Sequence, residues 1–250
     1  MVQTVEPALP PAGSVRRTVA LVRAFAAEQE DPDTFYRLLA ADSVRQVGTY
    51  TGLGGRTVLD VGGGPGYFAD AFAAAGARYL CVDSDVGELA GRFGARPYGV
   101  VASGLALPLR AESVDICYSS NVLEHVTDPG RMLAEMVRVT RPGGLIWCAY
   151  TLWLSPWGGH ETSPWHYLGG GYARRRYQRR YGRPPRNVYG RSLFALSAGR
   201  MLRTAHRLPG ADLVDCYPRY HPRWLRWTAR VPVLREVSTC NLVLVLRKAI

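Results

Sequence analysis

The run Val58-Leu59-Asp60-Val61-Gly62-Gly63-Gly64-Pro65-Gly66-Tyr67-Phe68 constrains this chain more than any other stretch. Apolar residues around an acid read as a buried strand. The glycines behind them make a turn that opens a helix, which is how open α/β sheets build a nucleotide-binding crevice. Spacing narrows the ligand. Glycines at 62, 64 and 66 behind Asp60 give D-x-G-x-G-x-G, whereas the dinucleotide fingerprint sets its glycines two and then three residues apart. The turn therefore need not cradle a pyrophosphate.

The rest of the chain is organised around that unit. Apolar runs predict strands near 57–61, 79–83, 98–101, 114–119 and 145–151, separated by helices near 67–76, 86–93, 121–126 and 129–139. Such alternation implies an α/β fold with a doubly wound, mainly parallel sheet. Ligands in such sheets sit outside the carboxyl ends of the strands, which gathers Asp60, Asp83, Ser103, Asn121 and Tyr150 around one crevice. Ahead of the sheet, a proline-rich segment over residues 1–14 is predicted disordered. Helical spacing over 15–28 and 34–47 gives two helices that either cover the ligand site or pack across the sheet edge. Residues 155–190 form a long, loop-rich insertion, rich in tryptophan, histidine and glycine from Trp157 to Gly171 and then in arginine from Arg174 to Arg186. Insertions of that length are usually functional, and this one is assigned as a lid that binds the acceptor. A helix over 192–206, a strand over 213–217 and a last strand over 241–247 complete the chain. At 250 residues and 47% apolar content, one domain, residues 56–250 with its insertion, suffices.

The segment from about Thr57 through Tyr150 resembles the class I S-adenosylmethionine-dependent methyltransferases. Besides the glycine turn, the resemblance rests on Tyr79-Leu80-Cys81-Val82-Asp83, which ends in an acid 17 residues after Gly66. It continues with Ala106-Leu107-Pro108-Leu109, then Ser113-Val114-Asp115-Ile116, Ser120-Asn121-Val122-Leu123-Glu124-His125-Val126 and Arg138-Val139-Thr140-Arg141-Pro142-Gly143-Gly144. The order is that of methyltransferases resembling those of quinone biosynthesis. The resemblance implies a Rossmann-like sheet with an antiparallel last strand at its edge, and S-adenosylmethionine as cofactor. It implies that Asp60 holds the methionine amino group, that Gly62, Gly64 and Gly66 let the backbone approach, and that Asp83 accepts from both ribose hydroxyls. Tyr67, Ser84 and Asn121 join this set. One departure stands out: where the family has an adenine-binding Asp, this chain has Ser103, a weaker acceptor, so adenine recognition falls to Ser103 with Gly104 and Leu105.

Methyl transfer is an in-line displacement, so alignment and exclusion of water dominate and the catalytic apparatus is thin. A hydroxyl acceptor must also lose its proton. His125, His160 and Glu161 are the candidates for that step, with a packing or capping role as the other reading of His125. Tyr150, Trp157, His166 and Tyr167 are candidates for contact with the acceptor. A metal is not expected, because His160, Glu161 and His166 lack the i, i+4 pairing that sets two imidazoles on one helix face. Five scattered cysteines without a C-x-x-C pair argue against a disulfide framework or zinc cluster.

The net charge of +11 is uneven: residues 171–230 carry +13 and the rest −2. Arginines there alternate with aromatics. Three readings follow: a solvated face, an anionic membrane surface, or a nucleic-acid groove, with membrane first because Trp224, Trp227 and Val231 recur at helical spacing beside arginines. Pro222 and Pro232 confine any helix there to about two turns. The motifs Gly158-Gly159-His160-Glu161, Asn187-Val188-Tyr189-Gly190 and Tyr217-Pro218-Arg219-Tyr220-His221 resemble a subgroup of actinobacterial methyltransferases associated with the cell envelope. That resemblance implies an acceptor such as a glycolipid or saccharide. The longest apolar run, Leu145 to Leu154, is too short to cross a bilayer, which reads as a cytoplasmic protein, and the arginine-rich region would hold it peripherally at the inner face of the membrane. The alternatives are an RNA or small-metabolite methyltransferase, or a non-catalytic partner that binds S-adenosylmethionine.

Overall fold

Strand β1 (Thr57–Val61) is buried at its last four residues, as a central parallel strand covered on both faces must be. The computed structural model describes residues 10–27, 31–90 and 99–250. Helices α1 (Val15–Ala26) and α2 (Pro32–Gly48) precede β1. After it come α3 (Ala69–Ala74), β2 (Arg78–Asp83), α4 (Val86–Ala90), β3 (Gly99–Val101), β4 (Val114–Ser120), α5 (Pro129–Val139) and β5 (Thr140–Thr151). The last third holds α6 (Gly170–Tyr181), α7 (Ala198–His206), β6 (Ala211–Pro218), α8 (Pro232–Ser238) and β7 (Asn241–Lys248).

The strands lie in the order β3-β2-β1-β4-β5-β7-β6. β1 to β5 pair in parallel, and β7 runs antiparallel to both β5 and β6. This is the doubly wound, mainly parallel sheet expected from the sequence, with one correction: the last strand lies inside the sheet, and β6 holds the edge. Burial explains the order. Leu242 through Leu246 are all fully buried, which suits an interior strand, whereas β6 alternates half-buried and exposed residues along its first half.

Helix starts follow their capping chemistry. Ser14, Asp31, Asp128 and Ser197 each accept a bond from the backbone N–H three residues on, and prolines occupy the first turns of α2 and α5. The capping serine at 197 corrects one expectation, since it delays α7 to Ala198 and leaves 192–197 non-helical although Leu193 and Leu196 are buried. The helix expected over 121–126 is a single 3-10 turn, Leu123–His125. The insertion is better ordered than a loop: 3-10 turns at His160–Thr162 and Trp165–Leu168 lead into α6, which stops at Gly182 in the left-handed region. Residues 28, 91–93 and 98 of the expected elements lie outside the described residues.

Two apolar cores flank the sheet. On one face Leu59, Val61, Cys117, Cys148 and Tyr150 pack with Met132 and Met136 of α5 and Met201 of α7. On the other, Val58, Tyr118 and Trp147 pack with Phe35, Leu39 and Val47 of α2 and Phe72 of α3. Of the segment expected to be disordered, residues 1–9 lie outside the described residues, while 10–14 are held: the Pro10 carbonyl accepts from Arg45 and the Gly13 carbonyl from Arg223 N–H. α1 is tied in by charge. Arg17, 3% exposed, pairs with the buried Asp42 of α2 and donates to the Arg219 carbonyl. Arg219, equally buried, donates to Ser43 and Ser120. The five cysteines are free thiols, and no helix among the described residues is long and apolar enough to cross a membrane.

Candidate active site

β1 feeds a turn in which Gly62, Gly64 and Gly66 have φ of +78°, +51° and +80°, a region that penalises any Cβ. Sterics add to this at Gly62, where a Cβ would stand 2.4 Å from Val122 Cγ2. At Gly64 the space is open, with Glu88 Oε2 the nearest atom at 3.9 Å. That opening faces a cleft of about 1440 Å³ along the carboxyl ends of the strands, lined by Gly62 and Gly64.

Asp83 also lines the cleft. Its carboxylate is oriented by the N–H of Gly64 at 2.9 Å on one oxygen and that of Asp85 at 2.9 Å on the other, so the turn and the acid hold each other in place. Ser84, Ser103, Gly104 and Leu105 continue this wall, and Ser103 Oγ accepts from Leu105 N–H at 3.1 Å. An acid for a ribose, a hydroxyl and backbone for an adenine, and a glycine surface free of side chains fit S-adenosylmethionine at this end.

Asp60 is placed differently from the sequence expectation. It is 1% exposed and lies beneath the turn, where its carboxylate accepts from Tyr79 Oη at 2.5 Å and a Cβ at Gly63 would come within 2.8 Å of it. Strand alternation puts its side chain on the α2 and α3 face, away from the cleft. Burial pushes its pKa up to about 7, against the pull of the Tyr79 hydrogen bond. It therefore sits behind the turn, in contact with its backbone at Gly63. Gly66 and Tyr67 are likewise outside the lining: Gly66 N–H closes the turn onto the Gly63 carbonyl, and Tyr67 stacks at 4.3 Å on Tyr36, which does line the cleft.

At the opposite end the cleft is lined by Asn121, His125, Trp157, His160 and Glu161. Asn121 has φ +58° and accepts from Asn241 at 2.6 Å. His125 lies in the 3-10 turn after β4. Its Nδ1 is 2.6 Å from the Ser192 carbonyl, and a carbonyl only accepts, so in the neutral ring the proton sits on Nδ1 and the lone pair on Nε2. His160 comes from the insertion, with its ring centroid 5.1 Å from that of His125. Burial pulls its pKa down to about 4. Glu161 accepts from Asn187 at 3.1 Å. Trp157 packs edge-on against Phe25 of α1 at 5.2 Å, closing the wall between insertion and cap. α1 and α2 contribute Thr18, Leu21, Val22, Phe25, Phe35 and Tyr36, so these helices both pack on the sheet and cover the site.

Three expected acceptor contacts lie elsewhere. Tyr150 is fully buried in the α5 and α7 core, because its position in β5 points it to that face. His166 is 1% exposed, and its ring contacts the Ser155 carbonyl and Ser163. Tyr167 lies over His166 and remains exposed. Both serve the fold of the insertion. Sequence reasoning missed Glu124, whose Oε1 accepts from Thr151 N–H at 3.0 Å. It also missed Arg186, which crosses to Glu88 of α4. The Asn-Val-Leu-Glu-His-Val motif carries the signal for Glu124, an acid directly before the histidine.

Residues 59–148 match the model of a methyltransferase domain. The chain is 53% identical to a methyltransferase of Mycobacterium bovis strain BCG, with 93% of this chain and 95% of that protein covered. It is 51% identical to one of Mycobacteroides abscessus, with 94% and 95% covered; both relatives are themselves uncharacterized. Among solved structures, an S-adenosylmethionine-dependent methyltransferase from Mesorhizobium loti superposes with a TM-score of 0.55 at 20% identity, covering 82% of this chain and 96% of that one. Near-complete overlap at half identity, on a sheet of this order, means that the chain belongs to the methyltransferase family and carries the class I fold that uses S-adenosylmethionine.

Proposed function

We propose that the protein transfers the methyl group of S-adenosylmethionine to a hydroxyl of a polar lipid, glycolipid or saccharide of the cell envelope. When bound, the cofactor supplies a methyl on a cationic sulfur, open to in-line displacement. The chain's own part is to hold that cofactor through Asp83, the glycine turn and the Ser103 wall. It must also align the acceptor oxygen, keep water out and help a hydroxyl lose its proton.

The observation that carries this reading is the far end of the cleft. Two imidazoles, His125 and His160, face one space walled by Leu21, Val22, Phe25, Trp157 and Leu225. Nitrogen lone pairs in an apolar enclosure suit a neutral hydroxyl that must be deprotonated more than a carbon or sulfur nucleophile.

The mouth of the same cleft supports a lipid-linked acceptor at an anionic membrane. Pro222 and Leu225 line the cleft while Trp224 and Trp227, on the same 3-10 segment Arg223–Arg230, are 67% and 50% exposed. Val15, Val19 and Val22, at helical spacing on α1, are exposed beside it, joined through the Gly13–Arg223 bond. Arg226 folds back onto Tyr217 and Asp215, while Arg223 and Arg230 of the same segment are exposed. Exposed aromatics gathered on one short segment suit a headgroup layer more than the extended stacking track of a nucleic-acid groove.

The test is product analysis. Protein incubated with methyl-labelled S-adenosylmethionine and separated envelope lipids, oligosaccharides, RNA and small metabolites should label a lipid or saccharide hydroxyl. Label confined to RNA or small metabolites refutes the acceptor class; intact cofactor binding with no labelled product favours the non-catalytic partner.

A further inference from the structure

We propose that Glu124, His125 and His160 form a binding site for a divalent first-row transition-metal cation at the acceptor end of the cleft. Each offers one ligand atom, and these atoms all lie within 4.8 Å of one another. Bonds of about 2.0–2.2 Å to one cation would bring them to roughly 3.5 Å apart, a closure within reach of small side-chain rotations.

Satisfaction of polar atoms points the same way. Glu124 Oε2 and His160 Nε2 are both buried and have no hydrogen-bond partner among the described residues. A carboxylate oxygen and an imidazole nitrogen, both buried and unpartnered within one three-residue cluster, is an arrangement that burial penalises. A cation between them satisfies both at once.

The surroundings supply what a ligand set requires behind it. Glu124 Oε1 is held by Thr151 N–H, and His125 Nδ1 donates to the Ser192 carbonyl, which leaves its Nε2 to coordinate. Metal-binding imidazoles characteristically have such a carbonyl on the second nitrogen. His160 is one of only three non-glycine residues with positive φ among those described, at +48°. Such backbone persists where the fold insists on a side-chain position.

The neighbours that the sequence put forward as ligands are engaged elsewhere, Glu161 with Asn187 and His166 with Ser155. Two imidazoles and one carboxylate select Zn²⁺, Co²⁺, Fe²⁺ or Mn²⁺ over Mg²⁺ and Ca²⁺, which take oxygen ligands. With three protein ligands, coordination positions stay open on the side where His125 and His160 line the cleft.

The role of the cation rests on the hydroxyl-acceptor reading; the site itself does not. A cation there would acidify an acceptor hydroxyl beside it. With the imidazoles committed to the cation, they no longer take the proton; it passes through the open mouth of the cleft to solvent, the C–O bond forms as the C–S bond breaks, and the electron pair stays on sulfur.

The experiment is titration of chelator-stripped full-length protein with Co²⁺, read by visible absorption, and with Zn²⁺, read by equilibrium dialysis. The expected result is one cation per chain with low-coordinate cobalt bands, and at least a tenfold loss of affinity in Glu124→Gln and in His160→Gln. Glu161→Gln should bind as the unaltered protein does. Circular dichroism and S-adenosylmethionine binding report the fold of each variant. If Glu124→Gln fails to fold, His160→Gln, in a surface insertion, carries the test. Absence of stoichiometric cobalt, or unchanged affinity in a folded His160→Gln, overturns the proposal. Metal bound as expected without any hydroxyl methylation would leave the site standing and sink the acceptor reading alone.

Discussion

Arg186 donates to Glu88 at 2.5 Å across the cleft mouth, joining the insertion after β5 to the helix that follows β2. Arg186 is 80% exposed, so the pair contributes about 0–1 kcal/mol to stability. Both residues line the cleft, so its effect should be kinetic. Arg186→Ala should shift Tm by no more than about 2–4 °C and speed dissociation of bound S-adenosylmethionine in a stopped-flow chase. An unchanged dissociation rate would mean that the pair does not gate the mouth.

Asp83 should dominate cofactor affinity. Its carboxylate is already aimed by two backbone N–H groups, and hydrogen bonds to a charged acceptor are worth about 1.5–3 kcal/mol each. Asp83→Ala should weaken S-adenosylmethionine binding at least tenfold by calorimetry, and equal affinity would displace Asp83 from the ribose.

Asp60 sets a pH dependence of stability. Its folded pKa, raised to about 7 by burial, exceeds the unfolded value near 3.9. The folded state therefore favours the protonated acid. The contribution is fully present below the unfolded pKa and is lost as pH rises through about 7. Urea unfolding at pH 5 and pH 8 should show Asp60→Asn gaining stability relative to the unaltered protein as pH rises. A constant difference between the two proteins would show that Asp60 titrates normally.

Membrane association should be peripheral and salt-sensitive. Trp224 and Trp227 project from the arginine-bearing segment, where cations near an anionic surface contribute about 1 kcal/mol each. The protein should sediment with anionic vesicles at low salt, release as the Debye length shortens, and bind less after both tryptophans become alanine. Equal binding to neutral and anionic vesicles, or no effect of the tryptophan changes, excludes this surface.

The cofactor end was legible because its signal is local: the glycine turn, Asp83 and the Ser103 departure all follow directly from strand ends. Side-chain direction was not. Asp60 and Tyr150 stand at the carboxyl halves of their strands, yet alternation sends both into the cores. Glu124 escaped because its partner Thr151 and its neighbour His160 lie 27 and 36 residues further on and meet it only in three dimensions. The run Gly169-Gly170-Gly171 at the start of α6 reads as loop in sequence, although the arginines, glutamine and alanine behind it favour helix. β7 could not be ordered against β6 from composition until burial distinguished interior from edge.

The sealed contact between Arg17 and Asp42 has a mechanical consequence. Swinging α1 away from the mouth would strand one of these charges in the interior, at a cost of about 3–5 kcal/mol. Releasing the insertion from α4 costs no more than about 1 kcal/mol. The two sides of the entrance are therefore unequal: α1 is fixed by a charge pair sealed inside, whereas the insertion meets α4 through a pair open to solvent.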